Sequence, residues 1–350
     1  MACKILILGA SYGSLLSTKL LMAGHDVTLV CRTKTAELIN EQGTEVRIKL
    51  RDEPEHRSFY SCEFPGTLDA KTPETVDPSK YDLVCLGMQE PQYSNHTLSS
   101  LLVRIGQAGL PCISIMNMPP LPYLRRIPGL DCSMLEPAFT NPSIWRHFQP
   151  GLMTLCSPDP QAFRPPEEPS NVLHVGLPTN FKTSKFEDEK HNRMLCALAS
   201  DIDAVRVDGK DIPVKLRVHD SLFVPFAKWS MLATGNYRCV TKDHPYSICD
   251  AVQSDLSLSR NVYEFVDHLV MRLGADPADL VPFEKYARAT ESLLKPSSAA
   301  RAIESGSELI ERVDKLIMLI GRSMGLEHRA ILETVAVVDE RLANNGRLAA

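Results

Sequence analysis

The sequence predicts an α/β chain: a doubly wound, mostly parallel sheet in its N-terminal part, followed by an all-helical C-terminal domain. Three observations predict it. Short, continuous apolar runs alternate with helical segments through the first part of the chain, the pattern of a parallel sheet covered on both faces. A strand–turn–helix–strand unit of about 30 residues opens the chain, the size of a βαβ crossover. From about residue 216 onward, helical periodicity takes over. At 350 residues the chain suits two domains better than one. We expect them at 1–215 and 216–350.

The elements follow in order. Lys4-Ile-Leu-Ile-Leu-Gly9 is an apolar strand ending in glycine. Residues 13–23 read as a helix with Leu15, Leu16, Leu20 and Leu21 on one side, stopped by Gly24-His25. Val27-Thr-Leu-Val-Cys31 is the second strand. Residues 45–50 and 57–64 read as strands that can form a hairpin. Tyr81 to Met88 is a buried strand, 96–107 a helix and Pro111 to Met116 the next strand. Shorter strands follow near 151–156 and 171–176. Between them, residues 157–170 hold five prolines and read as a surface loop. In the C-terminal part, 252–273 reads as a helix through Val262, Phe265, Val266, Leu269 and Val270. Residues 298–324 carry Leu309, Val313, Leu316, Ile317 and Ile320 at helical spacing. A last helix covers 328–343, and the tail 344–350 reads as frayed.

Bulk properties narrow the function classes. The chain is 44% hydrophobic with a net charge of −5. A general nucleic-acid or anionic-membrane surface is therefore not expected. No apolar run is long enough to span a bilayer, and the N-terminus runs directly into a strand without a basic, signal-like region. The ten cysteines form no CxxC pair, and Cys31, Cys85 and Cys112 lie in apolar runs. Free thiols in a cytoplasmic protein are the expectation. No His/Cys spacing suggests a zinc site. His219 and His244 stand alone, though His219 precedes the segment that carries Lys228.

Gly9-Ala10-Ser11-Tyr12-Gly13-Ser14 lies between the first strand and the first helix. A Rossmann-type fold binds a dinucleotide pyrophosphate there, on backbone N–H groups at the helix N-terminus. The pattern is GxxxG rather than GxGxxG, with Ser11 and Ser14 as candidate hydroxyl donors. At the end of the second strand stands Arg32-Thr33-Lys34. NAD-binding folds usually place an acid there to accept from the ribose hydroxyls. Two cations suit a 2′-phosphate instead, so the expected cofactor is NADP(H).

The stretch Gly9-Ala-Ser-Tyr-Gly13 with Leu21-Met-Ala-Gly-His-Asp-Val-Thr-Leu-Val-Cys-Arg32 resembles the ketopantoate reductase superfamily. Asp82 through Gln92 resembles that family's fourth strand and following loop, which puts Met88 and Gln89 among the cofactor contacts. Ile115-Met-Asn117 resembles its strand-end asparagine, a contact for cofactor and substrate. Trp229-Ser-Met-Leu-Ala233 resembles the first helix of its C-terminal domain, and Val313 to Leu326 the helix and glycine after its acidic residue. The resemblance implies an NADPH-dependent reductase that transfers hydride to a 2-keto acid or related carbonyl. It also implies a lysine proton donor, asparagines one and two helical turns further on, and a glutamate.

The sequence departs from this pattern. Aligning on Trp229 puts Met231 at the lysine position, with Gly235 and Cys239 at the asparagine positions. Aligning on lysine puts Lys228 and Asn236 in place, with Leu232 between. Residues three apart share a helix face, and Lys228 is the preferred proton donor. Glu308, 17 residues before Gly325, is the acidic candidate, with Glu304 and Glu311 as neighbours. Ser297 and Ser298 match the substrate-contacting serine segment, and Met231 would face the substrate. Met88-Gln89 and Met118-Pro119-Pro120 replace residues that are cationic or glycine in the family, which implies an altered substrate pocket. Two alternatives stay open: an opine-type dehydrogenase that reduces an imine, and a nucleotide-binding relative with lost or non-redox activity. The apolar C-terminal helices suggest a homodimer.

Overall fold

The computed structural model describes residues 2–51 and 53–349. The chain forms two compact units. The first comprises Met1–Met88, Gln92–Tyr123 and Ser143–Leu222, and the second Gln89–Pro91, Leu124–Pro142 and Phe223–Ala350.

The first unit opens on β1 (Lys4–Leu8), α1 (Tyr12–Met22) and β2 (Asp26–Val30), with the strands parallel from Lys4↔Asp26 to Leu8↔Val30. Helix α1 is buried continuously from Gly13 to Met22. It is a covered helix of the core rather than an amphipathic surface helix. Helix α2 (Thr33–Gln42) leads to β3 (Glu45–Lys49) and β4 (His56–Tyr60), an antiparallel pair. Then come β5 (Leu68–Lys71), β6 (Leu83–Leu86), α3 (His96–Gln107) and β7 (Cys112–Ile115). Every residue of β6 and β7 is buried, because both faces of the sheet are covered. The Asn95 side chain accepts from the Thr97 N–H and starts α3.

A helical turn α4 (Leu121–Leu124) and β8 (Met153–Ser157) follow. The unit is completed by β9 (Gln161–Phe163), β10 (Val172–Leu177), β11 (Phe181–Ser184), α5 (Glu189–Ala204), the small ladder β12 (Arg206–Val207) with β13 (Lys210–Asp211), and β14 (Leu216–His219). The main sheet has the order β14-β11-β8-β7-β6-β1-β2-β5. Strands β8 through β5 pair in parallel; β11 runs antiparallel to β8 and parallel to β14.

The expected hairpin forms as β3–β4 and lies in a second sheet, ordered β4-β3-β10-β9. Two features differ from the sequence expectation. The proline-rich stretch is not all loop: β9 pairs with β10 inside it, since its prolines flank Gln161–Phe163 and leave those N–H groups free for the ladder. Strand β14, past residue 215, still belongs to the first unit's sheet.

The second unit is helical. It contains α6 (Lys228–Met231), which continues into a π turn over Leu232–Asn236. Then follow α7 (Ile248–Gln253), α8 (Leu256–Arg272), α9 (Phe283–Thr290), α10 (Ser298–Glu304), α11 (Val313–Ser323) and α12 (Arg329–Ala349). The expected helix 298–324 is two helices. Gly306 takes φ +87°, a left-handed stop, and Leu309 is half exposed while Val313, Leu316, Ile317 and Ile320 are fully buried. The tail expected to fray is helical to Ala349; Ala350 lies outside the described residues. Among the described residues, no helix is long and apolar enough to cross a membrane.

Candidate functional site

The glycine turn is built by β1 ending under α1. Gly9 takes φ +102°, where L side chains are strained. A Cβ there would lie 2.6 Å from Met88 Cγ. A Cβ on Gly87 would lie 3.0 Å from the Leu8 carbonyl oxygen. Gly13 packs where a Cβ would lie 2.9 Å from Ile7 Cγ2, so it brings α1 close to β1, the third-glycine role in dinucleotide folds. The turn is held by Gly9 N–H donating to the Val30 carbonyl at 2.9 Å and Gly87 N–H to Leu8 at 2.8 Å.

Ala10 is buried, Ser11 and Tyr12 are half-buried, and Ser11 makes no side-chain cap on α1. Ser14 is a correction to the expectation: its buried hydroxyl turns back onto the Ala10 carbonyl and is not offered outward. The five residues also spell Gly-x-Ser-x-Gly, the spacing of a hydrolase elbow. Ser11 does not fill that role. Its φ is −88°, outside the strained positive region, and no histidine bonds its hydroxyl among the described residues.

At the end of β2, Arg32 and Lys34 are exposed at the start of α2. Among the described residues, neither forms an ion pair with a carboxylate. A third cation, missed by the sequence reading, joins them from the proline-rich stretch. Arg164 Nη2 donates to the Ala10 carbonyl at 2.9 Å. Arg164 is half-buried and stands close enough to Arg32 and Cys31 to interact with both electrostatically. Burial first, and Arg32 in addition, push its pKa down, while Cys31 opposes. Burial raises the Cys31 thiol to about 11. A lone arginine among prolines carries no motif, and its partner is 154 residues away, so no local pattern could have found it. A glycine cradle beside a helix N-terminus, flanked by cations that lack counter-charges among the described residues, fits a dinucleotide phosphate.

Among the remaining candidates, Met88, Asn117 and His219 are half-buried. The Met88 N–H donates to the Tyr93 hydroxyl at 3.1 Å, which fixes the chain just after β6. Asn117 is half-buried, two residues past β7. His219 ends β14, where its carbonyl accepts from the Lys185 N–H at 3.1 Å. Gln89 is exposed and belongs to the second unit.

Within the second unit, the π turn decides how Lys228 and Asn236 relate. Tyr237 N–H reaches the Leu232 carbonyl five residues back at 3.0 Å, a turn one residue wider than an α turn. Eight residues of ideal α-helix overshoot two turns by about 80°. A wide turn absorbs one of them, and the remaining seven fall within about 20° of two turns. Lys228 and Asn236, both half-buried, thus come onto one face. The wide turn is anchored by the Tyr286 hydroxyl, which donates to the Met231 carbonyl at 3.0 Å. A Cβ on Gly235 would lie 2.1 Å from that hydroxyl oxygen, so only glycine fits there. Met231 is half-buried one turn past Lys228.

The acidic and serine candidates separate. Glu308 is exposed in the irregular link between α10 and α11. Glu304 is bound to Arg341 at 2.7 Å. Glu311 is the buried one, and its carbonyl accepts from the buried Tyr237 hydroxyl. Next to it, Arg312 is clamped by Asp314 at 2.9 Å and by Asp339. The Ser297 hydroxyl caps α10, accepting from Ala300 N–H at 3.1 Å, and donates to the Asn236 carbonyl at 2.7 Å. Ser297 therefore ties the end of the π turn to α10 and offers no open hydroxyl; Ser298 is exposed.

No family sequence model and no curated protein matches the chain. Solved structures do. A 2-dehydropantoate 2-reductase from Methylococcus capsulatus matches with a TM-score of 0.68 at 13% identity, over 98% of this chain and 97% of that one. D-mandelate dehydrogenase, solved with NADH and anilino(oxo)acetate, matches at 0.64 and 14% identity, over 98% and 99%. A dimeric ketopantoate reductase from Staphylococcus aureus matches at 0.61 and 9% identity, over 98% and 99%. The likeness runs over nearly the whole length of both chains at sequence identities of 9–14%. The chain has the ketopantoate reductase fold.

Proposed function

We propose that this protein is an NADPH-dependent reductase of a 2-keto acid or related carbonyl. The observation that carries the reading is the Gly9–Gly13 turn opening α1, with Arg32 and Lys34 unpaired beside it among the described residues. The matched D-mandelate dehydrogenase holds NADH, which supports a nicotinamide cofactor in general; the cations at the end of β2 favour the 2′-phosphorylated form.

Gly9, Ala10, Ser11, Tyr12 and Gly13 would hold the pyrophosphate through backbone, and Arg32 and Lys34 the ribose phosphate. When bound, the nicotinamide supplies a hydride to the carbonyl carbon. The protein's own task is the proton. Lys228 holds one on Nζ and delivers it to the oxygen as negative charge develops there. Asn236, brought onto the same face by the π turn, donates a second hydrogen bond to that oxygen. Glu311 is a better acidic partner than Glu308, because it is buried at a fixed position whereas Glu308 faces solvent. Met88, Met231 and the Met118-Pro119-Pro120 run favour a substrate larger or less acidic than a small keto acid.

Loss of 340 nm absorbance across a panel of keto acids, with and without added amines, tests the reading. Turnover with a keto acid alone is expected. Turnover only with amine present would favour the imine-reducing alternative, and none with either would overturn the reductase reading. Lys228→Ala should lower kcat by about 10²–10⁴-fold while leaving NADPH affinity unchanged.

A further inference from the structure

We propose that Arg164, delivered by the proline-rich segment, is a determinant of cofactor choice that binds the 2′-phosphate together with Arg32. The inference rests on the dinucleotide reading above and adds to it a residue from outside the nucleotide-binding motif.

The segment is fastened along the turn and the start of α2. Strand β9 pairs with β10 from His174↔Phe163 to Leu177↔Gln161. Arg164 follows at once and donates to the Ala10 carbonyl. Glu168 binds Arg47 at 2.8 Å. The Ser170 hydroxyl lies 3.3 Å from the Thr35 hydroxyl, in the first turn of α2. The prolines stiffen the path between these fastenings. The segment is thus a strap whose one inward-reaching cation is set against the glycine turn.

The charge arrangement asks for an anion. Arg164 is half-buried, within electrostatic reach of Arg32, and no carboxylate pairs with Arg164, Arg32 or Lys34 among the described residues. Two guanidinium groups held near one another without a counter-charge repel, and an acidic side chain would ordinarily relieve them. A phosphomonoester carries about −1.5 to −2 charges at pH 7 and three acceptor oxygens, which suits two planar donor forks. One N–H of Arg164 is spent on Ala10, and a guanidinium has five. The position selects among the phosphates of a dinucleotide. Arg164 is coupled to Cys31 and Arg32, at the strand end where the adenosine ribose is read, whereas the pyrophosphate belongs on the N-terminus of α1.

Binding titrations with the full-length chain test this, using NADPH, NADH, 2′,5′-ADP and 5′-ADP as ligands. Arg164→Ala is expected to weaken NADPH and 2′,5′-ADP by about tenfold or more, as for loss of a charge-assisted hydrogen bond. NADH and 5′-ADP should change by less than about twofold, and Arg164→Lys should restore part of the loss. Arg164→Gln keeps a donor for Ala10 without the charge, so it separates the anion role from a folding role; it should bind as Arg164→Ala does and melt as the wild type does. Equal weakening of NADPH and NADH in these variants would place Arg164 at the pyrophosphate or in the scaffold and overturn the inference alone. A wild-type chain that binds neither NADPH nor NADH would overturn the dinucleotide reading itself.

Discussion

Lys19 shows how far a single buried residue can bias this fold. It lies inside α1, 1% exposed, with Nζ donating to the Ile212 carbonyl at 3.2 Å. Burial, and then the Lys215 charge, lower its pKa to about 7, with Asp211 opposing. The unfolded chain holds that proton up to about pH 10.5. Between pH 7 and 10.5 the unfolded state therefore binds more protons, and the Lys19 contribution makes the protein more stable as pH rises. Lys19→Met removes the buried cation and should stabilise the protein by roughly 1 kcal/mol at pH 7. Denaturant melts of both proteins from pH 7 to 10 should show the advantage shrinking as pH rises; a constant gap would mean Lys19 is not near its titration point. A lysine with a lowered pKa is often catalytic, but this one is sealed in the core. The proton donor proposed above, Lys228, is instead half-buried at the start of the helix that runs into the π turn.

At the scale of elements, the π turn and the strap were the two features not written plainly in the sequence. Strands β6 and β7 were legible because burial on both faces forces unbroken apolar runs. The glycine turn was legible because a positive φ and two close approaches require glycine at fixed spacing. The π turn has no such signature. Its trace was the resemblance that fitted in two registers, on Met231 or on Lys228, because a helix with one extra residue satisfies neither ideal spacing. Its support is tertiary: the Tyr286 hydroxyl on the Met231 carbonyl and the Ser297 hydroxyl on the Asn236 carbonyl. Tyr286→Phe should cost about 0.5–1.5 kcal/mol in stability and lower kcat more than it changes KM, as Lys228 and Asn236 lose register. An unchanged kcat would show that the wide turn does not set the catalytic face. The break between α10 and α11 was missed because Leu309 keeps helical register with Val313, although Gly306 had already ended the helix. That break is also what leaves Glu308 in solvent and makes Glu311 the buried acid.

On the scale of the whole molecule, the two units differ in what they leave uncovered. Most of the exposed large apolar side chains belong to the second unit, among them Leu256, Leu258, Met271, Leu294 and Leu348, at 36–88% exposure. The homodimer expected from the apolar C-terminal helices would form through this unit. Light scattering at micromolar concentration should give the mass of two chains, and a monomer mass would contradict it. The two-part organisation was legible from the change in periodicity, but the returns of Gln89–Pro91 and Leu124–Pro142 to the second unit were not. These pieces are short, and what assigns them is contact across long sequence separations rather than any local pattern. The proposed cofactor choice turns on the cations beside the glycine turn. The affinity of the wild-type chain for NADPH against NADH, repeated with Arg32→Ala, tests it most directly. Tighter binding of NADPH, with the preference reduced in the variant, is predicted; equal affinities in the wild type, or a preference for NADH, would contradict it.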